Sequence, residues 1–278
     1  MGMRAGARLG NGAAYLILAL FSVLTVYPIL WVFLGSFKET NEFYNHIWGL
    51  PASLNWDNYV RAWEMAQIGT RMVNSVIVTV SALAILLVVS TTAAYALSRL
   101  RFPGVTVLYA LFLASMMIPS ETTVIPLFLT VKEMGLLNTR LALILTYAAG
   151  GLAFSIVTLH AFLKSIPHEP EEAALVDGAN RLQVFAHVIL PLVRPALATV
   201  VIIQGMHFWN EFFLALIFVR DVALQTLPLG MTQFFFQYTS DWTLYFAALS
   251  IVTAPVIALF VAMQRQFVDG LTAGAVKG

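Results

Sequence analysis

Six long stretches almost free of charge restrict this chain more than anything else in it. Residues 12–34 and 72–97 carry no Asp, Glu, Lys, Arg or His. Residues 102–120 form a third run, followed by Glu121 and further apolar sequence to Val131. Residues 141–163 hold one His160, residues 195–219 hold His207 and Glu211, and residues 242–264 close the series. A helix that crosses a bilayer needs about 20 mostly apolar residues, because the hydrocarbon core offers no water to satisfy backbone groups. None of the runs alternates with a period of two, so a membrane β-barrel is excluded. The chain is 60% hydrophobic and 10% charged, with a mean hydropathy of +0.84. A soluble domain has roughly 45–50% apolar and about 25% charged residues. The expectation is an all-α integral membrane protein with six transmembrane helices and both ends on one side.

Lysine and arginine bias near span ends sets the orientation. With the termini in the cytoplasm, nine fall inside: Arg4, Arg8, Arg99, Arg101, Lys164, Arg181, Arg194, Arg265 and Lys277. Six fall outside: Lys38, Arg61, Arg71, Lys132, Arg140 and Arg220. The short loop with Arg99 and Arg101 between two long runs is the clearest single marker. The first run is too long for a signal-peptide core and lacks a small-residue cleavage site, so it is read as a retained span. A net charge of +1 implies no nucleic-acid partner, and the absence of cysteine excludes disulfides and thiol chemistry.

Against this background the stretch EEAALVDGANRLQVFAHVILP, residues 171–191, is out of place. Pro170 suits a helix start, where its missing N–H is no loss. Glu171 and Glu172 suit the positive end of a helix dipole. Gly178 suits a left-handed C-cap, and Asn180 with Gln183 three residues on predicts a capping box for a second helix. Pro191 and Pro195 punctuate the entry to the fifth run. The pattern predicts two short helices joined by a glycine turn at the cytoplasmic surface.

Glu172-Ala173-Ala174, then Gly178, then Val188-Ile189-Leu190-Pro191 resembles the "EAA…G…I-LP" loop of binding-protein-dependent ABC importer permeases; Val188 replaces the usual isoleucine. The ending, with Gly270-Leu271-Thr272-Ala273-Gly274-Ala275-Val276-Lys277-Gly278, is similar to that of maltose-type permease subunits. Trp209-Asn210-Glu211-Phe212 resembles sugar-importer permeases. The resemblance implies a type I ABC importer permease fold, with a coupling-helix loop over 165–194 between spans four and five. It divides the chain into a first span and outer loop (1–70), a permease core (71–265) and a cytoplasmic tail (266–278). It implies that Glu172, Ala173, Ala174, Asp177, Gly178, Arg181 and Pro191 couple to an ATPase. It further implies that Gly270, Leu271, Thr272, Gly274 and Lys277 contact that ATPase from the tail. The implied partners are a second homologous permease, two ATPase subunits, an extracytoplasmic sugar-binding protein, the sugar, and membrane lipid. The implied location is a prokaryotic plasma membrane.

The residues themselves agree that energy comes from elsewhere. A phosphate-binding Walker loop needs glycine before lysine and serine or threonine after it. Of four lysines only Lys164 precedes a serine, and Leu163 stands before it. The chain is therefore expected to be no enzyme and to bind no cofactor, with ATP–Mg held by partner subunits. An ion-coupled carrier usually keeps several acids and bases inside the bundle, and here only Glu211, His207 and His160 lie within runs. That alternative, and an ABC permease for a glycerol phosphate, stay open. His207, Asn210 and Glu211 recur at i, i+3 and i+4, which predicts one helix face beside Trp209. This face is read either as part of a sugar path or as hydrogen bonding between helices. Met116–Glu121 with Pro119 is read as a helix break or a plain span end, and Gln233–Tyr238 as an interfacial belt or a landing surface.

Overall fold

The computed structural model describes the backbone of residues 2–237 and 241–275 and the side chains of 14–237, 241–258 and 261. Tyr238 of the aromatic stretch and Lys277 of the tail lie outside the described residues. Every regular element among those described is helical. Among the described residues, three helices are long and apolar enough to cross a membrane: Ala14–Gly35, Ile68–Arg99 and Arg140–Ser165. Two bent pairs, Val105–Ser115 with Ser120–Glu133 and Arg181–Leu192 with Arg194–Asn210, bring the number to five, and Trp242–Ala258 is a shorter apolar helix. All six apolar runs thus become helical, but the third and fifth are not single rods.

The break in the third run has a local cause. Pro119 is extended (φ −60°, ψ 132°), and the two halves diverge by 100°. A residue before proline avoids helical backbone, which ends the first half near Ser115.

The chain divides into two compact units, Met1–Ile68 with Met231–Ile257, and Gly69–Gly230 with Ala258–Gly278. In the first, residues 14–30 of the opening helix are exposed throughout, as a lipid-facing surface is. The loop after that helix is tied by polar contacts. Buried Lys38 donates from Nζ to the carbonyl oxygens of His46 (2.7 Å) and Ile47 (3.3 Å). Asn58 Nδ2 donates to the carbonyls of Ser36 and Lys38 at 2.8 and 2.9 Å. Trp31 packs edge-on against Phe246, with ring centroids 5.0 Å apart.

The second unit holds the main core. Helix Ile68–Arg99 buries Val78, Ala82, Leu86, Ser90 and Ala94, a four-residue repeat down one face. Helix Arg140–Ser165 buries Leu143, Tyr147, Gly151, Ile156, Leu159 and Leu163 and packs against helix Arg194–Asn210; Leu143, Tyr147, Leu159 and Leu163 share one apolar cluster with Val78, Ala82 and Leu86. Gly151 sits where three helices meet. A Cβ there would lie 3.1 Å from Leu86 and Phe208 and 3.2 Å from Gln204, so no larger residue fits without displacement. At the end of this unit away from Arg99, Asn74 Nδ2 donates to the carbonyls of Ala223 and Gln225, both at 2.9 Å. Arg140 Nε donates to Asn74 Oδ1 at 2.9 Å, so two helix starts and the 220–230 loop share one network.

Candidate functional site

The polar segment folds as its residues dictate. Helix Glu169–Val176 begins with Pro170 in its first turn and carries three acids there. It ends at Gly178, whose φ of +90° is the left-handed region. The amide of Ala179 donates to the carbonyl of Ala174 (3.0 Å) and that of Gly178 to Leu175 (3.1 Å). This pair of bonds is a Schellman motif, which satisfies carbonyls the helix end would leave bare. Asn180 then opens helix Arg181–Val184. Its Oδ1 accepts from the amide of Gln183 at 2.9 Å, while Gln183 Oε1 accepts from the amide of Asn180 at 2.8 Å. The glycine turn and the capping box therefore stand where the sequence places them.

Beyond Val184 the helix widens to a π turn over Phe185–Ile189. Buried residues here are Val184, Ile189, Val193, Ala196 and Val200. The first step is five residues and the rest are three or four. One extra residue in the π turn keeps the apolar stripe facing inward across the junction. Pro191 is exposed in the short helix Leu190–Leu192, and at Val193 the chain bends by 70° into Arg194–Asn210.

The loop thus has a buried side and a bare side. Ala174, Ala179, Phe185 and Val188 pack onto the core. Glu172, Ala173, Asp177, Gly178 and Arg181 are exposed, as are Val176 (87%) and Leu182 (75%). Glu171, next to the motif, is buried. Its carboxylate lies 2.6 Å from Arg99 Nε, an ion pair whose N–H is not aligned as a hydrogen bond.

The expected face of His207, Asn210 and Glu211 is not present. Helix Arg194–Asn210 stops at Asn210, and Glu211 is extended (φ −66°, ψ 126°). The cause is Glu211 itself. Its Oε1 accepts from the amide of Leu214 (2.7 Å) and its Oε2 from that of Ala215 (3.2 Å), so it caps the next helix, Phe213–Phe218. Tyr147 also donates to Oε2 at 2.5 Å. A carboxylate that satisfies the start of a new helix is drawn off the face of the old one. His207 and Asn210 are exposed, Trp209 is partly buried, and Asn210 Nδ2 donates to the carbonyl of Met206 at 2.8 Å. Gly270, Leu271, Thr272 and Gly274 lie on the last helix, Trp242–Ala275.

Residues 87–272 match the family described as binding-protein-dependent transport system inner membrane component. The chain belongs to that family. A probable ABC transporter permease protein of Bacillus subtilis is 38% identical over 270 residues, covering 97% of this chain and 90% of that one. The diacetylchitobiose uptake system permease protein NgcG of Streptomyces coelicolor is 37% identical over 266 residues, covering 95% and 88%. Among solved structures, a bacterial ABC transporter involved in the import of the acidic polysaccharide alginate superposes with a TM-score of 0.83. It is 26% identical and covers 94% of this chain and 98% of that one. The protein is a membrane permease component of an ABC importer with the type I permease fold.

Two features of this permease are not evident from its sequence. Arg99 reads as a topology marker, yet its side chain is only 2% exposed and bonded to Ile166 and Glu171 of the polar segment. The available signal was Glu171, which precedes the motif and shares a helix face with Ala174. Tyr147 reads as one more apolar residue of the fourth run, and nothing local connects it to Glu211, 64 residues away.

Proposed function

We propose that this permease forms one half of the transmembrane path of an importer for a di- or oligosaccharide, with both termini in the cytoplasm. The other half is a second, homologous permease. Two ATPase subunits bind ATP–Mg, and an extracytoplasmic sugar-binding protein delivers the solute; this chain holds no ATPase site and no cofactor. The observation that carries the reading is the rigid two-helix loop, capped at its turn by Gly178 and Asn180 and bare on its outer side. Val176 and Leu182 offer an apolar centre, and Glu172, Asp177 and Arg181 offer a charged rim. That is the anatomy of a protein–protein contact. Closure of the ATPase dimer pulls this loop and tilts the helices joined to it. The sugar class is supported by the diacetylchitobiose relative, and the ion-coupled carrier gives way to the family membership.

Exposed His207 and Asn210, with Trp209, are assigned to the sugar path, where ring faces and amides meet hydroxyl-rich solutes. Glu211 shapes that path from behind, because its oxygens are already occupied by Tyr147 and two amides. The tail over 266–278, including Gly270, Leu271, Thr272, Gly274 and Lys277, is assigned to the ATPase contact. The test is reconstitution of the purified complex in vesicles with a panel of sugars on the delivery protein. ATP-dependent uptake of one oligosaccharide is expected. Uptake driven by an ion gradient without ATP overturns the reading.

A further inference from the structure

The coupling loop is joined by the chain to the fourth and fifth spans, but its tightest polar contact is with the second. Arg99 is the last residue of helix Ile68–Arg99. Its guanidinium reaches three groups around the start of the loop. Nη2 donates to the carbonyl of Ile166 at 2.9 Å, Nη1 lies 3.1 Å from His168 Nε2, and Nε lies 2.6 Å from Glu171 Oε1. Ile166 caps the end of helix Arg140–Ser165, and His168 is the N-cap of the coupling helix. The planar fork of arginine holds several acceptors in fixed directions, whereas a lysine ammonium is a compact point charge on a flexible stem. One turn earlier, Tyr95 sets its ring against Phe185 of the π turn, with centroids 5.1 Å apart. The same helix end therefore grips both arms of the loop: the first by charge, the second by ring contact.

Removing one partner of a largely buried ion pair leaves the other charge without compensation. The pair accordingly fixes the coupling helix to the second span, so neither moves without the other. We propose that Arg99, through Glu171, is the positioning residue that passes motion of the coupling loop directly into helix Ile68–Arg99. This rests on the reading of the loop as the ATPase contact. It adds a route that does not run along the chain, since 67 residues separate Arg99 from Ile166.

The test uses the whole complex with its ATPase subunits and delivery protein, in vesicles, reading sugar taken up per ATP hydrolysed. Arg99→Met is expected to keep the ATPase subunits in the complex, because Arg99 is buried beneath the exposed loop residues. It is expected to lower uptake per ATP by about tenfold, within the usual range of coupling between sites. Arg99→Lys, which keeps the charge and loses the fork, should fall between the two. The exchange Arg99→Glu with Glu171→Arg should recover part of what Arg99→Glu loses. Unchanged uptake per ATP in Arg99→Met overturns the proposal. Loss of the ATPase subunits from Arg99→Met and Arg99→Lys alike also overturns it, since the role is then assembly. Glu172→Lys in the same assay tests the underlying reading separately: normal ATPase retention and uptake there would refute the contact itself, whatever Arg99 does.

Discussion

Replacing Gly178 by valine is expected to stop most uptake while leaving the chain in the membrane. The reason is confined to the backbone. A Cβ at this position meets nothing within 4 Å, so no clash arises. The φ of +90°, however, is one that L-residues avoid. A side chain there costs about 1–2 kcal/mol, and more when it is branched at Cβ. Escape to negative φ would sacrifice the bonds from Ala179 to Ala174 and from Gly178 to Leu175. Each contributes roughly 0.5–1.5 kcal/mol net. Either way the native turn loses about 1–3 kcal/mol, which is about a 5- to 150-fold fall in its population. A graded series is expected. Gly178→Asn should be mildest, since asparagine tolerates left-handed backbone, Gly178→Ala intermediate and Gly178→Val most severe. Vesicle uptake, with membrane insertion and bound ATPase measured on the same samples, reads the series. Wild-type uptake by Gly178→Val, or no order among the three, refutes the turn as the source of coupling.

Glu172→Lys reverses an exposed charge at the loop. It is expected to uncouple hydrolysis from uptake or to release the ATPase, with partial recovery by an opposite charge reversal on the ATPase; co-purification and uptake check it. Deleting residues 271–278 spares all six apolar runs. It is expected to weaken ATPase assembly or change basal hydrolysis, read from subunit stoichiometry and ATPase activity of the purified complex. Glu211→Ala removes three acceptor contacts, including the cap of helix Phe213–Phe218. It is expected to cost about 1–2 kcal/mol of stability. Tyr147→Phe removes one of the three and should cost less, both measured as thermal unfolding in detergent. Gly151→Ile overpacks the three-helix contact and is expected to cost about 1–3 kcal/mol by the same measurement.

Legibility in the sequence tracks the range of the interactions. The turn at Gly178 and the capping box at Asn180 are set by residues within five positions of each other, so their types suffice. The apolar runs declare themselves because the bilayer demands about 20 residues at a time. The failures lie where a distant partner decides. Glu211 leaves its helix because its carboxylate caps helix Phe213–Phe218 and meets Tyr147 from another span, so the periodicity of 207, 210 and 211 misleads. Glu171 looks like a second dipole-favouring acid beside Glu172, and only the fold shows Arg99 beneath it. The π turn at Phe185–Ile189 is invisible to a 3.6-residue pattern, because it shifts that pattern by one.

Helix Ile68–Arg99 runs unbroken for 32 residues, whereas the third apolar run is bent and the fifth is interrupted at Glu211. At about 1.5 Å per residue it is about 48 Å long, and a rotation of about 5° at one end sweeps the other through about 4 Å. Interrupted neighbours absorb such a rotation at their breaks; an unbroken helix does not. Its far end carries Asn74, bonded to the carbonyls of Ala223 and Gln225. With the termini in the cytoplasm, as proposed, a tilt imposed at Arg99 therefore arrives, magnified by leverage, at a loop on the outer side. The rod makes the distance between fuel and cargo an advantage, since a small stroke at the cytoplasmic end becomes a large one outside.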